Sequence, residues 1–171
     1  VNDDNHTPAI GPVPQDVSIK DFQSFLGVHQ TDRKGNIIEI FGKPTNYGHV
    51  GAFGWFDWLR DRFRYDFDTM YYDDILIFSY TRRNRKVMTI SCECDVDNVQ
   101  ASLDYIKRFG VVDTKMYFLG QHKDEIIRCF GQPDRLSSDN HQYALDGFHV
   151  TFICYDFDAH KCSRINVQFF D

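Results

Sequence analysis

One short pattern occurs twice in this chain and limits what it can fold into. Ile37-Ile38-x-x-Phe41-Gly42-x-Pro44 and Ile126-Ile127-x-x-Phe130-Gly131-x-Pro133 share the skeleton Ile-Ile-x-x-Phe-Gly-x-Pro. Two apolar residues and a Phe at helical spacing predict a short buried stripe. Glycine takes the left-handed position past the helix end, and proline prevents the helix from resuming. A short helix with a hard stop is therefore expected in two places.

The flanking residues extend the correspondence. Upstream, Phe25-Leu26-Gly27 corresponds to Phe118-Leu119-Gly120; downstream, Tyr80, Lys86 and Ile90 correspond to Tyr155, Lys161 and Ile165 at one common offset. The offset changes only in turns. The first half has a longer turn at Gln30 to Gly35 and an insertion between Pro44 and the following hairpin. Length changes confined to loops leave strand facing undisturbed, as two related halves require. The organisation expected is an N-terminal arm over 1–15, a first α+β repeat over 16–96 with an aromatic insertion near 47–72, a connecting helix over 97–112, and a second α+β repeat over 113–171.

Local signals supply the elements. Asp16 reads as the N-cap of a helix whose face carries Ile19, Phe22, Phe25 and Leu26, closed by Gly27. Tyr65, Phe67 and Tyr71 alternate with polar residues, and Ile75–Tyr80 with Val87–Cys94 form a hairpin about Arg82–Arg85. Asp97 opens a helix bearing Val99, Leu103, Ile106 and Phe109, and His141–Leu145, Phe148–Tyr155 and Ser163–Phe170 read as strands. The fold class is α+β: two tandem helix-loop-helix plus antiparallel-sheet units of about three strands each, with helices packed on one face of the sheet.

Composition narrows the function. A chain of 171 residues with 42% hydrophobic content is long and apolar enough to build a core. Its net charge of −6, from 25 acidic against 19 basic residues, argues against a phosphate-backbone binder. No nucleic acid is expected, and a basic partner suits the sign. No apolar run approaches the length of a membrane span. Cys92, Cys94, Cys129, Cys154 and Cys162 show neither disulfide-framework nor zinc-ribbon spacing. That favours reduced thiols and a cytoplasmic setting over a periplasmic or secreted one, with one or two bridges in an oxidising compartment as the alternative.

No Gly-x-Ser-x-Gly, His-Glu-x-x-His, Cys-x-x-Cys, phosphate-loop or calcium-loop motif occurs. No catalytic residue, metal or cofactor is therefore expected. Cys154 with His160 and Cys162 across a turn has zinc-ligand chemistry, but no fourth ligand is evident, and burial accounts for the thiols more simply. Cys129 with His122 has the composition of a nucleophile and base, against a groove-filling thiol. Asp66-x-Asp68 and Asp156-x-Asp158 pair carboxylates, which at strands and turns are usually solvated.

Two surfaces have binding chemistry. Trp55, Trp58, Arg60, Arg62, Tyr71 and Tyr72 concentrate the residue types enriched at binding hot spots, in the segment that the second half lacks. Against this, Trp55, Trp58 or Leu59, and Phe63 are also spaced like a core-facing helical stripe. The other surface is the open sheet face, with Arg164, Asn166, Gln168 and Phe170 in one half and Thr89, Ser91 and Glu93 in the other. Arg164 and Gln168 join the first group as partner-binding candidates.

The pattern Leu119-Gly120-x4-Glu125-Ile126-Ile127-x2-Phe130-Gly131-x-Pro133, followed by an antiparallel meander, resembles the repeat of β-lactamase inhibitory proteins. It is also similar to the small lipoprotein of the bacterial outer-membrane assembly machinery, the SmpA/OmlA type. The resemblance implies a helix-loop-helix on an antiparallel sheet, occurring twice. With the acidic balance and the missing catalytic motifs, it leads to the expectation of a non-enzymatic bacterial inhibitor or immunity-type protein that occludes a partner enzyme or toxin. The alternatives are an envelope scaffold or lipoprotein domain, and a small hydrolase or metal-dependent enzyme without a recognisable motif.

Overall fold

Leu76-Ile77-Phe78-Ser79-Tyr80 and Phe148-His149-Val150-Thr151-Phe152 alternate strictly, so a strand built from either buries Leu76, Phe78, Tyr80, Phe148, Val150 and Phe152 on one side. A computed structural model, which describes residues 12–50, 67–137 and 139–170, realises this alternation in a single antiparallel sheet. In chain order the described elements are a 3-10 turn η1 (Ile19–Gln23), β1 (Ser24–Phe25), β2 (Val28–His29), helix α1 (Lys34–Phe41), β3 (Asn46–Val50), β4 (Phe67–Tyr72), β5 (Leu76–Thr81) and β6 (Val87–Glu93). Then come α2 (Val99–Lys107), η2 (Thr114–Phe118), α3 (Lys123–Phe130), β7 (Arg135–Leu136), β8 (Asn140–Leu145), β9 (Phe148–Ile153), η3 (Asp156–Asp158) and β10 (Arg164–Phe169).

The sheet has eight strands in the order β3-β4-β5-β6-β10-β9-β8-β7. The fold is α+β. It differs from the expectation in one respect, and it joins the two groups of strands. A further strand precedes each expected group of three, because the residues after Pro44 and Pro133 pair with β4 and β8. The two groups also share one sheet, since the last strands pair with each other, Cys92 opposite Ile165 and Ile90 opposite Val167.

The twice-occurring motif forms α1 and α3. Ile37 and Phe41 are buried, but Ile38 is 37% exposed, so the stripe is narrower than the pattern implies. Gly42 (φ 72, ψ −158) and Gly131 (φ 79, ψ −168) end these helices with positive φ and extended ψ, a region that side chains exclude, in place of the left-handed helical conformation expected. The carbonyl of each glycine accepts a bond from a buried tyrosine hydroxyl, Tyr72 to Gly42 and Tyr143 to Gly131, both at 2.9 Å. The motif thus fixes a helix end to the second strand that follows it.

The helix expected from Asp16 is corrected to the 3-10 turn η1. Its cap is Ser18, whose N–H and hydroxyl donate to the Asp21 carboxylate at 2.7 and 3.0 Å. The chain then turns back through Leu26 (φ 55) and Gly27 (φ 77) into the β1–β2 hairpin. Asp113 holds that turn by accepting the Leu26 N–H at 2.8 Å, a tertiary bond that periodicity alone does not reveal.

Register also departs from the common offset expected between Tyr80 and Tyr155. Phe78 faces Ile90 and Phe152 faces Ile165, so Tyr80 lies level with Cys154, one residue before the expected Tyr155. A shift in pairing between Ser79 and Tyr80 accounts for the difference.

The helices cover one face. Phe41 packs on Tyr72 and Phe78, with ring centroids 5.7 and 5.0 Å apart, and Phe109, just past α2, meets Phe41 edge-on at 5.3 Å. Phe118 and Phe130 pack on Phe152 at 5.8 and 5.5 Å. Phe22 crosses over: η1 lies early in the chain, yet its ring meets Phe130 and Phe152 at 6.2 and 5.8 Å. The core is continuous across the expected boundary near residues 97–112.

Candidate functional site

On the face opposite the helices, backbone register aligns polar side chains into rows. Where β6 meets β10, Thr89, Ser91 and Glu93 stand opposite Gln168, Asn166 and Arg164, and the intervening Ile90, Cys92, Ile165 and Val167 are buried toward the helices; on the polar side Ser91, and Thr69 further along β4, are buried as well. Each pair extends outward. Thr89 continues to Ser79 and Thr69, and Gln168 continues to His149; Ser91 continues to Ile77 and Tyr71, and Asn166 to Thr151 and Gln142.

Hydrogen bonds tie the rows together. The Ser91 hydroxyl donates to Asn166 Oδ1 at 3.0 Å. Thr69 and Ser79 hydroxyls lie 3.2 Å apart, and Gln142 Nε2 lies 3.3 Å from His149 Nδ1. Arg164 approaches Glu93 Oε1 at 2.7 Å, close enough to pair in charge though off the hydrogen-bonding axis. Arg82 donates to Asp68 at 2.9 Å. Phe170, 39% exposed, stacks edge-on against His149 at 4.5 Å and gives one end of the face an aromatic rim.

At the β7 end the face deepens into a depression of about 630 Å³ lined by Leu136, Asn140, Gln142 and Thr151. At the β3 end the Tyr71 ring lies over Gly48, where an added Cβ comes within 2.6 Å of the ring. A side chain at position 48 would displace the end of the Tyr71 ring.

Three of the sequence candidates share this face: Tyr71, Arg164 and Gln168. Tyr72 is corrected to a core residue. It is 1% exposed, its hydroxyl is committed to Gly42, and burial pushes its pKa up to about 12. Alternation makes the reason plain: adjacent strand residues point to opposite faces, so Tyr71 and Tyr72 cannot belong to one surface. Trp55, Trp58, Arg60 and Arg62, like Asp66, lie outside the described residues. Thr69, Ser79, Gln142, His149 and Thr151 were not singled out from sequence, although the period-two alternation of β5 and β9 carries the signal.

The histidines of the chemical candidates turn away from the thiols they were grouped with. His122 sits at the N-cap of α3, its Nδ1 accepting the Asp124 N–H at 3.2 Å, while Cys129 lies at the other end of the same helix with its thiol pKa raised by burial. His160 pairs with Asp156 at 2.9 Å and lies 3.3 Å from Lys123, turned to different partners from those of Cys162, whose thiol donates to the Arg164 carbonyl at 3.3 Å. Among the described residues no group of three or more His, Cys, Asp or Glu side chains is placed to hold a metal ion. No described helix is long and apolar enough to cross a membrane.

No protein-family model matches the chain, and no curated protein matches it. Among solved structures it is similar to an extracellular protein containing an SCP domain from Bacillus anthracis str. Ames, with a TM-score of 0.52 and 11% identity over 81% of this chain. The chain spans 43% of the length of that protein. At this identity the likeness concerns the fold alone.

Proposed function

We propose that this chain is a non-enzymatic protein-binding module, an inhibitor or immunity-type protein built from two related halves, that holds its partner against the open sheet face across the β6–β10 junction. The observation that carries the reading is the face itself: rows of Thr, Ser, Asn and Gln side chains run through paired strands of both halves, and the ring-bearing residues of the described helices pack on the opposite side. Antiparallel sheets commonly leave one face to water, so polarity alone does not define a site. Here the face also has an aromatic rim at Phe170, a depression at Leu136 and a glycine-seated tyrosine at Tyr71. These features supply the shape and the rigid aromatic area that binding faces use.

Equivalent glycine–tyrosine clamps and equivalent registers on either side of the junction support a duplicated origin, in keeping with the resemblance to β-lactamase inhibitory proteins. The net charge of −6 favours encounter with a basic target. At the junction, however, Arg164 is already paired with Glu93, so contact there rests on neutral hydrogen bonding.

The test is capture of partners from the source organism by wild type and two variants in parallel. Asn166→Arg places a long charged side chain in the middle of the face, while Arg128→Ala alters an exposed residue on α3. A partner retained by wild type and Arg128→Ala but lost with Asn166→Arg is the expected result. A partner held equally by all three, or none at low and high salt, contradicts the reading.

A further inference from the structure

Past the last β9–β10 pair, the buried Cys154 and Cys162 bring their thiols into contact. β9 and β10 pair regularly up to Arg164 opposite Ile153, and the Ser163 N–H donates to the Ile153 carbonyl at 2.9 Å. At the same level of the β5–β6 hairpin the pairing shifts: Ser79 faces Thr89, Tyr80 faces Val87, and Met88 is passed over. Cys154 and Cys162 hold the places of Tyr80 and Val87, with Ser163 in the place of Met88. Residues directly opposed in an antiparallel pair have Cα atoms about 4.5–5.5 Å apart. A disulfide spans roughly 4.4–6.8 Å between Cα atoms.

Both side chains lie in the core with no exposure. Burial raises the Cys162 thiol well above its ordinary pKa, and contact with the Cys154 thiol raises it further. Cys94 lies close by, its thiol donating to the Cys162 carbonyl at 3.6 Å.

We infer that Cys154 and Cys162 are a disulfide-forming pair, a cross-strand staple at the base of the loop that carries η3 and the 81% exposed Phe157. The oxidant is a small-molecule disulfide such as oxidised glutathione. One cysteine thiolate attacks it and releases one thiol; the second cysteine thiolate then attacks the mixed disulfide and releases the other. One protein S–S bond forms, the oxidant's S–S bond is reduced to two thiols, and the two cysteine protons end on those thiols. In the folded protein both thiols are buried away from solvent oxidant, so the bond forms while the hairpin is assembling.

The experiment is refolding of reduced, denatured full-length protein in a glutathione redox buffer or in excess reductant, followed by alkylation and non-reducing peptide mapping. A Cys154–Cys162 cross-linked peptide in the oxidised sample is expected, with a melting temperature raised by roughly 5 °C over the reduced sample. Cys94→Ser retains the cross-link. Alkylation of both Cys154 and Cys162 after oxidative refolding, or a cross-link from either to Cys92 or Cys94, overturns the assignment. Because the readout is made on the wild-type chain, a serine variant that fails to fold does not affect the decision, and the result is independent of partner binding.

Discussion

His141 on β8 is 2% exposed, faces Phe152 on β9, and stands in the same relation to it as Met70 on β4 to Phe78 on β5. Its Nδ1 has no hydrogen-bond partner among the described residues, and burial lowers its pKa below the ordinary 6.5 despite a backbone bond near Asp139 and the field of Asp124. Lys123 and His160, on neighbouring elements, push in the same direction as burial. A lowered folded-state pKa means that the unfolded chain takes up the proton first. The stability contributed by neutral His141 is therefore complete above about pH 6.5 and declines as the pH falls through that value. Thermal melts from pH 8 to pH 5 should show this decline in wild type and a flatter profile in His141→Met, which should also gain about 1 kcal/mol at neutral pH by removing an unpartnered polar atom. Equal slopes count against the assignment. Tyr143→Phe loses the hydroxyl that binds Gly131 and should cost about 1 kcal/mol in denaturant melts.

At the scale of the element, Gly48 is the clearest case of a residue chosen for a neighbour. Gly48→Ala forces the Tyr71 ring off β3, at a cost of about 1 kcal/mol. Aromatic NMR signals of Tyr71 should shift while the core tyrosines Tyr72 and Tyr143 remain unchanged; an undisturbed Tyr71 ring contradicts the described approach. Elements of this kind differ in how far they can be read in advance. The alternation in Phe148–Ile153 and Arg164–Phe169 directly encodes which side chains face the core, so Arg164 and Gln168 could be assigned to the open face. In Phe22, Phe25 and Leu26 the helical spacing was misleading. A carboxylate distant in sequence, Asp113, holds the turn that ends the helix early. Tyr72 failed for a simpler reason, since its composition matched a binding segment while its strand parity put it inside.

For the whole molecule, the halves visible in the sequence are not independent bodies. Phe22 of η1 packs on Phe130 and Phe152, Asp113 binds Leu26, and the Gln30 side chain donates to the Gly147 carbonyl at 3.2 Å. Residues 1–96 or 97–171 produced alone should therefore lack a cooperative melt, because each leaves apolar surface and the β6 or β10 edge uncovered. A sharp melt for either fragment contradicts this coupling. The joining of two groups of strands into one sheet was not encoded locally: any antiparallel edge can pair, and the β6–β10 register depends on burying Ile90, Cys92, Ile165 and Val167 together.

In the proposed function the partner lies on the open face of the sheet. Amide hydrogen exchange of this chain, alone and with the partner recovered by capture, tests that directly. Protection should increase in Val87–Glu93 and Arg164–Phe169 and extend into Leu76–Thr81 and Phe148–Ile153. Protection confined to Lys34–Phe41 and Lys123–Phe130 on the helical side, with the open face unchanged, would contradict it.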